Sequence, residues 1–254
     1  MKRETLQSDL LERLGARIVA GAIAPGTILR AELLEQEYAV SRTVVREATK
    51  VLEAMRLVRI RRAVGISVLP RSEWNAFDPR VIRWRLASGD RARQLQALTE
   101  LRIAVEPVAA FHAATNATAR ERTRLERLAH DLFRSGSAGD LDTFLDLDIA
   151  YHQLLLRASG NEMFAALTEV VSEVLTGRTV HHLMPQHPKA QATELHIAVS
   201  AAVAGGQSSR ARSAMRSLLL EVQEVVEGIQ DTDAPFRAST TDAGAERGHP
   251  STER

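Results

Sequence analysis

Along residues 7–21, Leu10, Leu11, Leu14, Ile18 and Val19 fall at helical spacing and Gly21 closes the run. Ala24-Pro25-Gly26 predicts a turn and residues 31–38 a second, short helix. Ser41 stands as N-cap of a third helix running to about Arg56, its hydroxyl placed to accept an orphan backbone N–H. The period then changes. Residues 57–61 and 66–69 carry β-branched side chains on either side of Arg62-Ala63-Val64-Gly65, which predicts a two-stranded hairpin with Gly65 at the turn exit. Pro70 and the polar Arg71-Ser72-Glu73 end this module.

Beyond Trp74 no strand candidate of useful length appears. The stretches 92–114, 117–133, 141–158, 162–183, 191–204 and 208–230 repeat apolar residues at three- and four-residue steps, with Asn, Gly, Ser or Pro between them. An all-helical bundle is expected. After Gln230 the chain is rich in Thr, Asp, Ala, Gly and Pro without apolar periodicity, which reads as a disordered tail.

Composition narrows the chemistry. The 254 residues hold no cysteine, which excludes a disulfide scaffold, a zinc finger, a thiolate-bound cluster and a Cys nucleophile, and suits a reducing compartment. No stretch approaches the roughly 20 apolar residues that span a bilayer. Residues 1–21 are broken by Lys, Arg, Glu and Asp where a signal peptide needs an apolar centre, so a cytoplasmic protein without membrane association is expected. The net charge of +1 hides an asymmetry: residues 1–70 carry 12 Lys and Arg against 8 Asp and Glu, residues 71–230 carry 18 against 19, and residues 231–254 carry 3 against 5. A basic first module is what a polyphosphate partner would favour.

The third helix sharpens that point. Spaced at about 100° per residue, Arg42, Thr43, Arg46 and Lys50 share one arc, while Val44, Val45, Ala48, Val51, Leu52 and Met55 share the opposite one. A helix that buries one side and offers Arg, Thr and Arg from its first turns on the other fits a recognition helix reaching base edges. A solvated charged face on a small amphipathic helix is the alternative. The order helix, helix, Ser-Arg-Thr-x-x-Arg-Glu, Arg-rich hairpin favours double-stranded DNA, with Arg59, Arg61 and Arg62 supplying a basic wing.

The runs Ile23-Ala24-Pro25-Gly26-Thr27-Ile28-Leu29, Val40-Ser41-Arg42-Thr43-Val44-Val45-Arg46-Glu47-Ala48 and Leu52-Glu53-Ala54-Met55-Arg56-Leu57-Val58 resemble, over residues 5–70, the winged-helix domain of GntR-type transcription regulators. The resemblance implies operator contacts by Arg30, Ser41, Arg42, Thr43 and Arg46, and by Arg61, Arg62 and Gly65 in the wing. Two departures stand out: Leu29-Arg30-Ala31-Glu32-Leu33 is one residue short of the usual pattern, and the wing reads Ala63-Val64-Gly65 where a Gly pair is commoner.

In 141–158, Asp148 and His152 lie four residues apart and so share a helix face; taken alone, such a pair is ordinarily a surface ion pair. Its surroundings, Phe144-x-x-x-Asp148-x-x-x-His152, Leu155-x-x-Ala158-Ser159-Gly160-Asn161, Glu194-Leu195-His196 and Glu100-Leu101-Arg102-x-x-x-Glu106-Pro107, resemble the helical FCD-type effector domain of the FadR subgroup over about residues 75–230. The resemblance implies a metal site, since many members of that subgroup hold a divalent metal with one Asp and three His. Asp148, His152 and His196 match three of these, and Leu218 stands at the place of the third His. Nitrogen and oxygen ligands of this kind suit Zn, Ni or Mn. His181, His182 and His187 follow no metal spacing and are read as solvated.

Arg102 is the expected holder of a carboxylate effector, through a bidentate contact, with Asp148, His152, His196 and Asn161 around it; the alternative for Arg102 is a salt bridge to Glu106 inside the bundle. The stretch Trp74-Asn75-x-x-Asp78-Pro79-x-Val81-Ile82-x-Trp84 also resembles regulators answering to aldonic acids such as galactonate or gluconate.

The chain is thus expected to be mainly α. A winged helix-turn-helix with a two-stranded wing takes residues 1–70, a linker and linking helix 71–90, an effector-binding and dimerisation bundle 91–230, and a tail 231–254. The leading function is a homodimeric repressor that leaves a short palindromic operator when a sugar acid binds, and is not an enzyme. Regulation of another organic-acid pathway with a metal-bound effector, a metal-dependent hydrolase, and an architectural DNA protein without effector are the competing readings.

Overall fold

The computed structural model describes residues 2–62, 64–180 and 190–233. Ala63 in the wing turn, the three histidines at 181, 182 and 187, and the expected tail from residue 234 onward lie outside the described residues.

The first module opens with α1 (Lys2–Val19), followed by β1 (Ile28–Leu29), α2 (Ala31–Tyr38) and α3 (Arg42–Ala54). Ala39 closes α2 in the left-handed region at φ 51° and so makes the tight turn into α3. Ser41 caps α3 as its position predicts, its hydroxyl accepting from Val44 N at 3.4 Å. Leu10, Leu14 and Ile18 of α1 meet Val44, Val45, Ala48 and Leu52 of α3 in one buried cluster.

The wing differs from the expected hairpin. β2 (Val58–Arg61) and β3 (Gly65–Val68) pair antiparallel, with Ile60 opposite Ile66, but β1 pairs with the other edge of β3, giving a three-stranded sheet in the order β1-β3-β2. β1 has only two residues, too few to show an alternating pattern, and becomes a strand because β3 offers it an open edge. Gly65 (φ 112°) admits that approach: a Cβ there would stand 3.1 Å from the carbonyl oxygen of Leu29.

A 3-10 turn (Arg71–Glu73) leads into α4 (Pro79–Leu86), whose first turn is capped by Asp78 through Arg80 N at 2.9 Å. The short helix has two buried faces. Val81 and Trp84 join the first module's core, while Ile82 and Leu86 join Leu95, Leu98, Val170 and Val174 of the second.

The second module contains α5 (Arg91–Asn116), α6 (Ala119–Ala138), α7 (Leu141–Ala158), α8 (Glu162–Ala165), α9 (Thr168–Val180), α10 (Ala190–Ala204) and α11 (Ser208–Asp233). Residues 162–183, expected as one helix, divide into α8 and α9. The Thr168 hydroxyl donates to Ala165 O at 3.0 Å across the junction between them. α11 extends to Asp233 and so takes in the first three residues of the expected tail. Among the described residues no helix is long and apolar enough to cross a membrane.

Candidate functional site

Two sites emerge, one in each module. In the first, a groove between α3 and the wing is lined by Arg30, Arg42, Thr43, Arg46, Arg61, Val64 and Gly65, among others. α3 places Arg42 and Arg46 outward because Val44, Val45 and Ala48, on its other face, are buried. Exposed Arg30 sits at the N-cap of α2 without a side-chain capping bond. Arg46 lies 3.2 Å from Glu47, which also receives Lys50 at 3.3 Å, so the acid offsets part of the basic face. Ser41 spends its hydroxyl on the helix cap, and Arg62 is exposed at the end of β2. Glu53, which no sequence motif singles out, accepts from Ile60 N at 2.7 Å through its carboxylate and ties the wing to α3.

In the second module α7 places Asp148 and His152 one turn apart, and α10 brings His196 against them. Both His152 Nε2 (3.3 Å) and His196 Nε2 (3.2 Å) face Asp148 Oδ1, and all three residues are buried. The other ring nitrogens are engaged: His152 Nδ1 lies 2.7 Å from Glu106 Oε2 and His196 Nδ1 lies 2.7 Å from Ala192 O. A carboxylate and a carbonyl only accept, so each Nδ1 carries the hydrogen. In the neutral rings both Nε2 atoms then bear lone pairs, directed with a carboxylate oxygen into one spot. Three acceptors so arranged call for a proton or a cation between them. The donor atoms of Asp148, His152 and His196 lie within 4.8 Å of one another. One carboxylate and two imidazoles, each His held by an outer partner, form a donor set that fits a divalent ion with coordination positions left open.

Leu218 supplies no further ligand atom. It is buried with Phe144, Tyr151, Val199 and Met215 in the bundle's largest apolar cluster. Tyr151 braces the two rings, its hydroxyl donating to His196 O at 3.0 Å.

Arg102 enters from α5 at 2% exposure. Its Nε donates to Glu106 Oε1 at 2.6 Å, and Nη2 approaches Glu106 Oε2 at 3.4 Å and His152 Nε2 at 3.2 Å. The salt bridge weighed from the sequence therefore forms, yet Nη1 is buried without a hydrogen-bond partner, as is the Thr99 hydroxyl one turn earlier on α5. Arg178 of α9, which sequence reasoning missed, is buried beside the same groups. Asn161 is not part of this cluster; it caps α8, its Oδ1 accepting from Met163 N at 2.9 Å.

The charges are strongly coupled. Burial opposes ionisation of Glu106, but Arg102 and His152 outweigh it and pull the carboxyl down to about 2. Burial likewise opposes the Asp148 charge, and the adjoining His152 and His196 outweigh it, holding the carboxyl well below the usual carboxylate range. Burial would lower His152; the adjoining Glu106 charge raises it. Burial and the neighbouring Arg102 draw Arg178 down to about 10.

Residues 6–68 match the profile of bacterial regulatory proteins of the gntR family, and residues 97–221 match the FCD domain. The chain is 34% identical to the galactonate operon transcriptional repressor of Escherichia coli (strain K12) over 162 residues, covering 63% of this chain and 70% of that one. It is 29% identical to the uncharacterized HTH-type transcriptional regulator YieP of the same organism over 225 residues, 85% of this chain and 94% of that one. The solved structure of E. coli McbR/YncC shares the fold at 18% identity, with a TM-score of 0.51, over 88% of this chain and 98% of its own. An exposed recognition helix beside a wing, joined by one two-faced helix to a bundle with a buried polar cluster, agrees with these matches: the chain is a DNA-binding transcription regulator and belongs to the GntR family, with an FCD domain.

Proposed function

We propose that this regulator is a homodimeric repressor of a sugar-acid operon, of the aldonate class that includes galactonate and gluconate, released from its operator by the acid itself. The observation that carries this reading is the buried, unpartnered Nη1 of Arg102, a fixed positive charge with an unused donor inside a bundle. A carboxylate is the partner whose shape matches a guanidinium edge. The orphan hydroxyl of Thr99 on the same helix and the second cation, Arg178, suit a ligand bearing several oxygens. The name of the galactonate operon repressor relative supports the aldonate class.

Asp148, His152 and His196 are the residues that would hold a divalent Zn, Ni or Mn, which when bound supplies positive charge and open coordination positions for the acid's oxygens. In the first module, Arg42, Thr43 and Arg46 read base edges from the major groove, while Arg30, Arg61 and Arg62 meet phosphates or the adjoining minor groove. Ser41 and Gly65 set the backbone of those contacts. The acid is bound and released unchanged, and the protein works in the cytoplasm.

The test is a titration of operator-bound protein with galactonate, gluconate, lactate and citrate, with and without zinc, followed by DNA release and thermal stability. Release and stabilisation by an aldonate at lower concentration than by the other acids is expected. Release by citrate or lactate alone moves the chain to another organic-acid pathway. Stabilisation accompanied by consumption of the acid would make the cluster an enzyme's.

A further inference from the structure

Glu106 occupies a position between the two halves of the buried cluster. One carboxylate oxygen receives Arg102 Nε at 2.6 Å, and the other stands 2.7 Å from His152 Nδ1. The side chain is 1% exposed, so no water competes for those lone pairs. The contact between Arg102 Nη2 and His152 cannot do the same work. That nitrogen is 3.4 Å from Nδ1 and 3.2 Å from Nε2, nearly equidistant, and so is in line with neither ring nitrogen. His196 has a different arrangement: its Nδ1 is held by the backbone carbonyl of Ala192 within its own helix, a partner that any residue at 192 would provide.

We infer that Glu106 is a positioning residue for the metal-ligating group, fixing His152 as the Nδ1–H tautomer and so presenting its Nε2 lone pair beside Asp148 Oδ1 and His196 Nε2. The inference rests on the metal reading above and adds to it a residue outside the ligand set. Its physical basis is the outer hydrogen bond of a ligating imidazole, which fixes the ring's orientation and raises its basicity. Arg102 in turn holds the carboxylate in place through the first oxygen, leaving the second directed at the ring. A single acid thereby orients a metal ligand and the cation proposed to hold the effector's carboxylate.

The experiment is zinc affinity measured by chelator competition on the full chain, wild type against Glu106→Gln and Glu106→Asp. Loss of the outer carboxylate is expected to lower zinc affinity ~10–100-fold in Glu106→Gln, with part of it regained in Glu106→Asp, which keeps the charge. A purely structural role would lower the melting temperature and leave the affinity of the folded protein unchanged. Equal zinc affinity in wild type and Glu106→Gln overturns this inference alone. Failure of the wild type itself to take up zinc overturns the metal reading and the inference with it. If Glu106→Gln does not fold, nitrogen-15 NMR of the zinc-loaded wild type decides: His152 protonated at Nδ1 and bound through Nε2 supports the assignment, and the opposite tautomer overturns it.

Discussion

Gly15 on α1 lies so close to Trp84 on α4 that an added Cβ would stand 2.3 Å from the indole Cη2. Nothing larger than hydrogen fits there. Trp84 is further held by its Nε1–H, which donates to Glu12 at 2.7 Å, one turn earlier on α1. On the opposite side of α4, a Cβ at Gly177 of α9 would stand 2.6 Å from Leu86, and Arg83 makes a two-pronged contact with Glu173. α4 is thus seated closely on both modules, and α9 also carries Arg178 at the buried cluster. Gly15→Ala should force the rigid indole to move, destabilising the protein by about 1–3 kcal/mol as overpacking does. Gly177→Ala should cost less, because the Leu86 terminus can rotate away. Denaturant unfolding of both variants checks the order; equal losses would show that α1 yields more readily than its packing implies.

Arg42→Ala and Arg46→Ala should each weaken operator binding by ~1–3 kcal/mol without altering the oligomeric state. Arg61→Ala should weaken operator and scrambled DNA alike and flatten the salt dependence, the behaviour of a phosphate contact. Fluorescence anisotropy at several salt concentrations separates the two. Wild-type protein that binds scrambled DNA as tightly as the operator would remove base reading from α3.

Arg102 calls for a conservative test, since its removal strands Glu106 in the bundle. Breaking a buried ion pair costs about 3–5 kcal/mol, so Arg102→Ala would confuse lost folding with lost recognition. Arg102→Lys keeps a positive charge near Glu106 but cannot reproduce the planar fork. It should bind operator with near-wild-type affinity and fail to leave it when the acid is added. Release at the wild-type concentration of the same acid would reduce Arg102 to its salt bridge with Glu106.

Thr99 supplies the opposite kind of test. Its buried hydroxyl has no partner, and an unmet polar group of this kind costs about 1–3 kcal/mol. Thr99→Val, nearly isosteric, should therefore stabilise the ligand-free protein by that order while weakening binding of the hydroxylated acid. A loss of ligand-free stability on denaturant unfolding would mean that the hydroxyl is already satisfied.

What the sequence determined by itself is what local chain geometry encodes. The Ser41 cap, the division of α3 into Val44/Val45/Ala48 and Arg42/Arg46 faces, and the pairing of Asp148 with His152 all follow from residues at most four apart, where helical pitch alone sets proximity. The family motifs extended that reach to His196 and Arg102. Tertiary packing decided the rest. His196 meets Asp148 across 48 residues, Arg102 approaches His152 across 50, and Arg178 reaches the cluster because α9 packs on α7 and α5. No periodicity announces which faces of separate helices will meet. Glu106 looked like nothing more than Arg102's neighbour four residues on, until α7 supplied His152 to its second oxygen. β1 owes its strand to the edge of β3, and α4 shows two apolar faces in a helix of eight residues, a pattern that identifies a buried helix but leaves its two partners unnamed. The difference is one of range: side-chain spacing sets contacts within a turn or two, whereas the cluster and the inter-module helix depend on burial shared among segments far apart in the chain.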